Sequence, residues 1–212
     1  MKSQPVELIM IAGDDITPAE AAWYSTAKEV TDERLKRVPA LLKTLVEGDG
    51  PDGLPHQVPF EHTLISFRVT SEIATHIHML KHRIGVSISS QSQRYMELRA
   101  DDYYVPEDWP EDLRDYGTGL IDDAFRHYHY IIKCLEASGI DRKRAKESAR
   151  FVLPYATQIR YRVTFNLLSF VHFQKLRNSD HAQVEIHLIA DEMLRLVKED
   201  GHFVNSLKAW GL

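Results

Sequence analysis

Between Lys81 and Tyr95 the chain sets Lys81-His82-Arg83 ahead of a run of hydroxyls and amides, Ser87, Ser89, Ser90, Gln91, Ser92 and Gln93, and closes on Arg94-Tyr95. Guanidinium and ammonium groups hold phosphate, while hydroxyls and amides orient sugars and base edges. The mixture suits a phosphorylated, polar ligand that contains a ring. The alternative is a solvated charged face. Further on, Arg150 stands among Ala149, Phe151, Val152 and Leu153, and Arg177 follows Leu176. A bare charge in apolar surroundings is costly. Each guanidinium therefore either pairs with a local acid, such as Glu147 or Glu185, or grips an anionic ligand.

Other chemistry-bearing residues give weaker signals. His76, His78 and His82 crowd the end of one predicted helix, but no carboxylate or cysteine completes a metal set nearby. His127 and His129 fall on opposite sides of their helix and read as structural. Cys134 flanks an apolar stripe beside Leu135 and reads as a buried, inert thiol. There is no G-x-S-x-G, P-loop or G-x-G-x-x-G, so triad hydrolases, P-loop enzymes and dinucleotide-binding Rossmann domains lose their usual support.

These residues need a scaffold. Val6–Ile11 reads as a strand closed by Gly13-Asp14-Asp15, and Thr17-Pro18-Ala19-Glu20 as a helix start capped by Thr17. A helix over 35–46 stops at Gly48-Asp49-Gly50-Pro51. Residues 63–69 form a strand, and Ser71 opens a helix with Ile73, Ile77 and Leu80 at helical spacing. That helix delivers the basic cluster to a polar loop. Ile121, Phe125, Tyr128, Ile132 and Leu135 share one face of a long helix ended by Gly139. Asp141 caps another, which Pro154 ends. Ile159, Tyr161, Val163 and Phe165 alternate as a half-buried strand. Asn166 caps a helix to about Arg177, and Ser179 caps a last one through Met193 and Leu196. The fold class is α+β, a small mixed or antiparallel sheet packed with several helices, in a single domain over residues 1–212.

Composition sets the setting. The 212 residues are 43% hydrophobic and 27% charged, ordinary for a soluble globular chain. A net charge of -5 repels nucleic acid. A single cysteine fits a reducing compartment, and the apolar run of residues 6–12, broken by Glu7, is neither a signal peptide nor a membrane span. The expectation is a cytoplasmic protein with no nucleic-acid or membrane partner.

The ordered motifs resemble those of the flavin-dependent thymidylate synthases, the ThyX family, from about Pro59 to Ala190, with a weaker echo at Ala21-Ala22-Trp23-Tyr24-Ser25. The family's signature is R-H-R, seven residues, Ser, then Arg-Tyr; its counterpart here is Lys81-His82-Arg83 with Ser92-Gln93-Arg94-Tyr95. Ala149-Arg150-Phe151-Val152-Leu153-Pro154, Asn166, His172-Phe173-Gln174-Lys175-Leu176-Arg177 and Ala182-Gln183-Val184-Glu185-Ile186 match further elements in order and spacing. His56 and Pro59-Phe60-Glu61-His62 match the approach to the strand.

The resemblance implies a homotetramer with shared active sites, FAD as cofactor, and methylenetetrahydrofolate and NADPH as co-substrates. The reaction it implies is reductive methylation of uracil C5 in a nucleoside monophosphate. It would place Ser25, His56, Lys81, His82, Arg83, Asn166 and His172 at the flavin, with His56 also near the folate. His78, Lys81, Ser90, Gln91, Ser92, Gln93, Arg94, Arg150 and Arg177 would serve the nucleotide, and Arg177 and Ser92 would be catalytic. Arg177 would stabilise charge developing on the N3/O2 side of the ring.

Departures from the family pattern cluster at the proposed ligands. Lys81 replaces an arginine and loses its bidentate fork. Eight residues, one more than usual, separate Arg83 from Ser92. Ser90 stands for a Glu or Gln, Leu168 for the arginine of an N-x-R, and His78 for a common Gln. Three readings follow: methylation of dUMP to dTMP, methylation of UMP on a nucleoside-antibiotic pathway, or a flavin- or nucleotide-binding protein without turnover.

Overall fold

A computed structural model describes residues 5–25, 29–49 and 53–212. Strand β1 (Val6–Ala12) leads into α1 (Ile16–Trp23), then α2 (Asp32–Leu35) and α3 (Val38–Glu47). A 3-10 turn at Val58–His62 precedes β2 (Leu64–Glu72), α4 (Ile73–Met79) and β3 (Val86–Ser90). Then come α5 (Glu111–Ala137), α6 (Arg142–Ala149) and a 3-10 turn at Arg150–Val152. The chain ends with β4 (Gln158–Phe165), α7 (Leu167–Arg177), α8 (Val184–Asp200) and α9 (Val204–Ala209). The strands form one four-stranded antiparallel sheet in the order β1-β2-β4-β3. The expected mixture of a small sheet and helices is what the chain adopts.

The described residues divide into two compact units. Pro5, Val69–Leu80 and Ser89–Tyr161 form the first; Val6–Arg68, Lys81–Ile88 and Arg162–Leu212 form the second. In the first, α5 packs on α6 and on the 3-10 turn after it. Its core joins Leu98, Phe125, Tyr128, Ile132, Ala145 and Ala149. Asp141 accepts from the backbone N–H groups of Lys143 and Arg144, at 3.0 and 3.1 Å, so the predicted cap starts α6.

In the second unit, Phe67, Phe165, Phe170 and Phe173 are fully buried, with centroids 5.2–6.4 Å apart along the contacts they make. Helix α8 buries Ile186, Ile189, Ala190, Met193 and Val197, the stripe expected of a helix lying against β1 and α7. Asp15 accepts from Asn205 N (2.7 Å), Asn205 Nδ2 (2.9 Å) and Ser206 N (2.7 Å), satisfying the start of α9 from a distant part of the chain. Neither α9 nor this tie was expected from the sequence.

Several expected boundaries move. Helix α1 begins at Ile16, and Asp14 Oδ1 accepts from Ile16 N at 2.9 Å, so the acid, not Thr17, organises the turn. The helix expected over 35–46 is α3, which starts at Val38, after the separate short α2 that ends at Leu35. Gly48 closes α3 at φ +92°, whereas Gly50 and Pro51 of the expected stop lie outside the described residues. Strand β2 runs through Ser71 to Glu72, whose side chain caps α4 by accepting from Thr75 N at 3.0 Å. The expected polar loop is largely strand β3, because Val86 and Ile88 alternate with Ser87 and Ser89 at the period of a strand. Ser179 does not cap α8, which starts at Val184 after Gln183. Cys134 is exposed on α5, not buried beside the stripe. No helix among the described residues is long and apolar enough to cross a membrane.

Candidate active site

In the second unit Lys81, His82 and Arg83 leave α4 and enter β3 through Gly85. At φ +64° Gly85 takes a conformation that a side chain disfavours, and a Cβ there would run into Ser169 Oγ and Asn166 Nδ2. The turn is pinned on α7: Asn166 N donates to Gly85 O at 3.0 Å, and Ser169 Oγ donates to Ile84 O at 2.6 Å. Asn166 caps α7 by accepting from Ser169 N at 2.8 Å. Asn166 thus starts a helix through its side chain and seats the basic segment through its backbone.

His82 and Arg177 meet here. Arg177 Nε donates to His82 Nε2 at 3.0 Å, and the imidazole edge rests on Phe173 with centroids 5.0 Å apart. Burial, and then the Arg177 charge, lower the His82 pKa to about 4. His82 is therefore neutral at pH 7, with Nε2 the acceptor and the proton on Nδ1. Arg177 does not pair with Glu185, whose carboxylate takes Gln183 Nε2 at 2.6 Å. With Nε occupied, the two Nη groups have no protein partner among the described residues and can meet a planar acceptor edge together. Lys81 and Arg83 are exposed and likewise make no ion pair among the described residues.

Also in this unit, His172 is exposed on α7, its ring 6.3 Å from that of Trp210. Leu168 is half-buried on the first turn of α7. Ser25 Oγ donates to Ala22 O at 2.9 Å just past α1. His56 is exposed, with its N–H bound to Leu45 O at 2.9 Å.

The first unit holds the remaining expected residues. Ser90 Oγ lies 2.8 Å from Nε2 of His76, a buried histidine packed on Tyr161 at 4.7 Å. Burial lowers the His76 pKa and raises that of Tyr161. His78 is half-buried, and its Nδ1 is enclosed without a hydrogen-bond partner among the described residues. Gln91 extends the β4 pairing: its N–H donates to Arg160 O at 2.8 Å, and its Oε1 accepts from Arg160 N at 3.3 Å. Ser92 Oγ accepts from Arg94 N at 3.3 Å, shaping a turn that leaves Gln93 half-buried.

Arg94, not Arg150, takes Glu147, with Nε 2.5 Å from Oε1. The pair raises the Arg94 pKa and lowers that of Glu147. Arg150 is half-buried, and its side chain forms no hydrogen bond or ion pair among the described residues.

In the second unit Lys81, Arg83 and the Nη groups of Arg177 have no acid partner among the described residues, and such cations suit phosphates and carbonyl oxygens. His76, Ser169 and Phe173, which hold this machinery, were missed as site residues. His76 was legible only as a candidate metal ligand; Ser169 was marked by its place three residues after the cap Asn166. Among the described residues no group of three His, Cys, Asp or Glu side chains could hold a metal ion.

The sequence pattern of a family described as Thymidylate synthase complementing protein matches residues 7–200. The chain belongs to the flavin-dependent thymidylate synthase family. It is an enzyme of that kind. The flavin-dependent thymidylate synthase of Pseudothermotoga lettingae is 30% identical over 200 residues, 91% of this chain and 84% of the relative. That of Mycobacterium tuberculosis is 38% identical over 151 residues, 66% of this chain and 60% of the relative. Among solved structures, a UMP/dUMP methylase, PolB from Streptomyces cacaoi bound with 5-Br UMP, superposes with a TM-score of 0.73 at 25% identity, covering 100% of this chain and 95% of that one. The same protein bound with 5-Br dUMP gives 0.74 at 26% identity, covering 99% and 95%.

Proposed function

We propose that this enzyme methylates uracil C5 of dUMP, with FAD as the cofactor its family implies and methylenetetrahydrofolate and NADPH as co-substrates. One observation carries the reading: Arg177 is held through Nε by a neutral His82 and keeps both Nη groups for a ligand. In this role Arg177 binds the O2/N3 edge of the ring and stabilises the negative charge that builds there as C5 attacks the methylene carbon. His82 acts as its positioning residue. Arg150 and Arg94 bind the nucleotide phosphate, the latter exchanging or sharing Glu147. Ser90, Gln91, Ser92, Gln93 and His78 line the sugar and base, with Ser92 orienting the nucleotide at the reacting end. Lys81, Arg83, Asn166, His172, Ser25 and His56 bind and orient the flavin. When bound, FAD supplies the hydride that turns the transferred methylene into a methyl group. No cysteine nucleophile is required. We propose that residues 1–212 work as one catalytic domain, in a cytoplasmic homotetramer.

A second reading, UMP as substrate, is favoured by one residue. At Ser90 a small hydroxyl bound to His76 stands where the family carries a longer Glu or Gln, leaving room and a hydrogen-bond partner for a ribose 2′-hydroxyl. The structurally similar PolB is described as a UMP/dUMP methylase. Equal handling of the two sugars is excluded if UMP gives no turnover under conditions where dUMP does. The main reading is tested by Arg177→Ala. It should abolish dTMP formation while leaving the assembly intact, and near-normal activity would remove the proposed role.

A further inference from the structure

A cavity of about 560 Å³ opens between the end of α1, α2, α3 and the segment after it, wholly within the second unit. Ala22, Ala40, Leu41 and Leu45 give it an apolar wall. Its polar lining is Arg34, Arg37, Thr44, Asp49 and the two residues proposed above as flavin contacts, Ser25 and His56, so the cavity adjoins that proposed site. The Arg34 guanidinium sits 5.7 Å over the Trp23 ring, which also faces the cavity.

Neither Arg34 nor Arg37 forms a side-chain ion pair among the described residues, although the lining carries the carboxylate of Asp49. In a chain of net charge -5, two guanidiniums without an acid partner among the described residues, both lining one cavity, suit an oligoanion. The apolar wall and indole suit an aromatic or amide body carrying that charge.

We propose that this cavity binds the carboxylate-bearing glutamyl tail of the folate co-substrate, with Arg34 and Arg37 taking the carboxylates and the Trp23 side contacting the aminobenzoyl amide. This rests on the folate-dependent reading above. The same chemistry could accept the extra phosphate of NADPH, so the test separates the two sources.

With the FAD-loaded full chain, KM for methylenetetrahydrofolate is measured with one and with five glutamates at low ionic strength. One half-buried and one exposed charge pair predict an advantage of about tenfold for the longer tail. Arg34→Ala with Arg37→Ala should bring that ratio to about one, and the matching double lysine variant should keep part of it. Calorimetry with p-aminobenzoyl-pentaglutamate supplies a readout that needs no turnover, and the double alanine variant should lose most of the heat. Absence of both the KM ratio and fragment binding in the unaltered protein overturns the proposal. So does a double variant that loses its NADPH-over-NADH preference while keeping the glutamate ratio, which would assign the cavity to the dinucleotide phosphate. Fragment binding without any turnover on uracil nucleotides retains the cavity assignment and defeats the catalytic reading.

Discussion

At the residue scale, the contact between Arg177 and His82 ties folding to protonation. Folding lowers the His82 pKa to about 4 from its ordinary 6.5, so between these values the unfolded chain binds a proton that the folded chain does not. This contribution to stability is complete above pH 6.5 and is lost as pH falls through about 4. His76, lowered by burial, acts in the same direction. The urea midpoint should therefore be lower at pH 5 than at pH 7, and His82→Gln should shrink the difference. An equal difference in the variant would separate His82 from the effect. Lys81 offers a second test. Restoring a fork with Lys81→Arg should increase the FAD retained through gel filtration, read from flavin absorbance. Unchanged retention would mean that Lys81 is not a flavin contact.

At the scale of elements, Gly85 is the joint on which the basic segment turns into β3. Gly85→Ala forces a side chain into positive φ and against Ser169 and Asn166, at a cost of about 1–3 kcal/mol. It should lower the urea midpoint and loosen FAD together; a silent substitution would show that the turn relaxes freely. Much of this scaffold was legible in the sequence. The caps Asp141 and Asn166 and the alternation of β4 are local signals, and each sits where its pattern put it. What escaped notice depends on residues far apart in the chain. Asp15 starts α9 across about 190 positions, and Glu72 caps α4 from the end of a strand. Of the two alternatives for Arg150, the pair with Glu147 does not form, because Arg94, 53 residues from that carboxylate in the chain, takes it. The candidate cations could be named from sequence, but which of them lack an acid could not.

At the scale of the whole molecule, the family supplies the chemistry and the departures set its direction. The purified protein should be yellow with FAD and should run at four times the chain mass in light scattering. A monomer active at full rate would contradict shared active sites. The most direct test of uracil methylation is tritium release from C5, run in parallel on dUMP and UMP with FAD, methylenetetrahydrofolate and NADPH. The proposed chemistry predicts release from dUMP that disappears when the folate is withheld or Arg177 is replaced by Ala, with release from UMP as well if Ser90 admits the 2′-hydroxyl. No release from either nucleotide by FAD-loaded protein would contradict it.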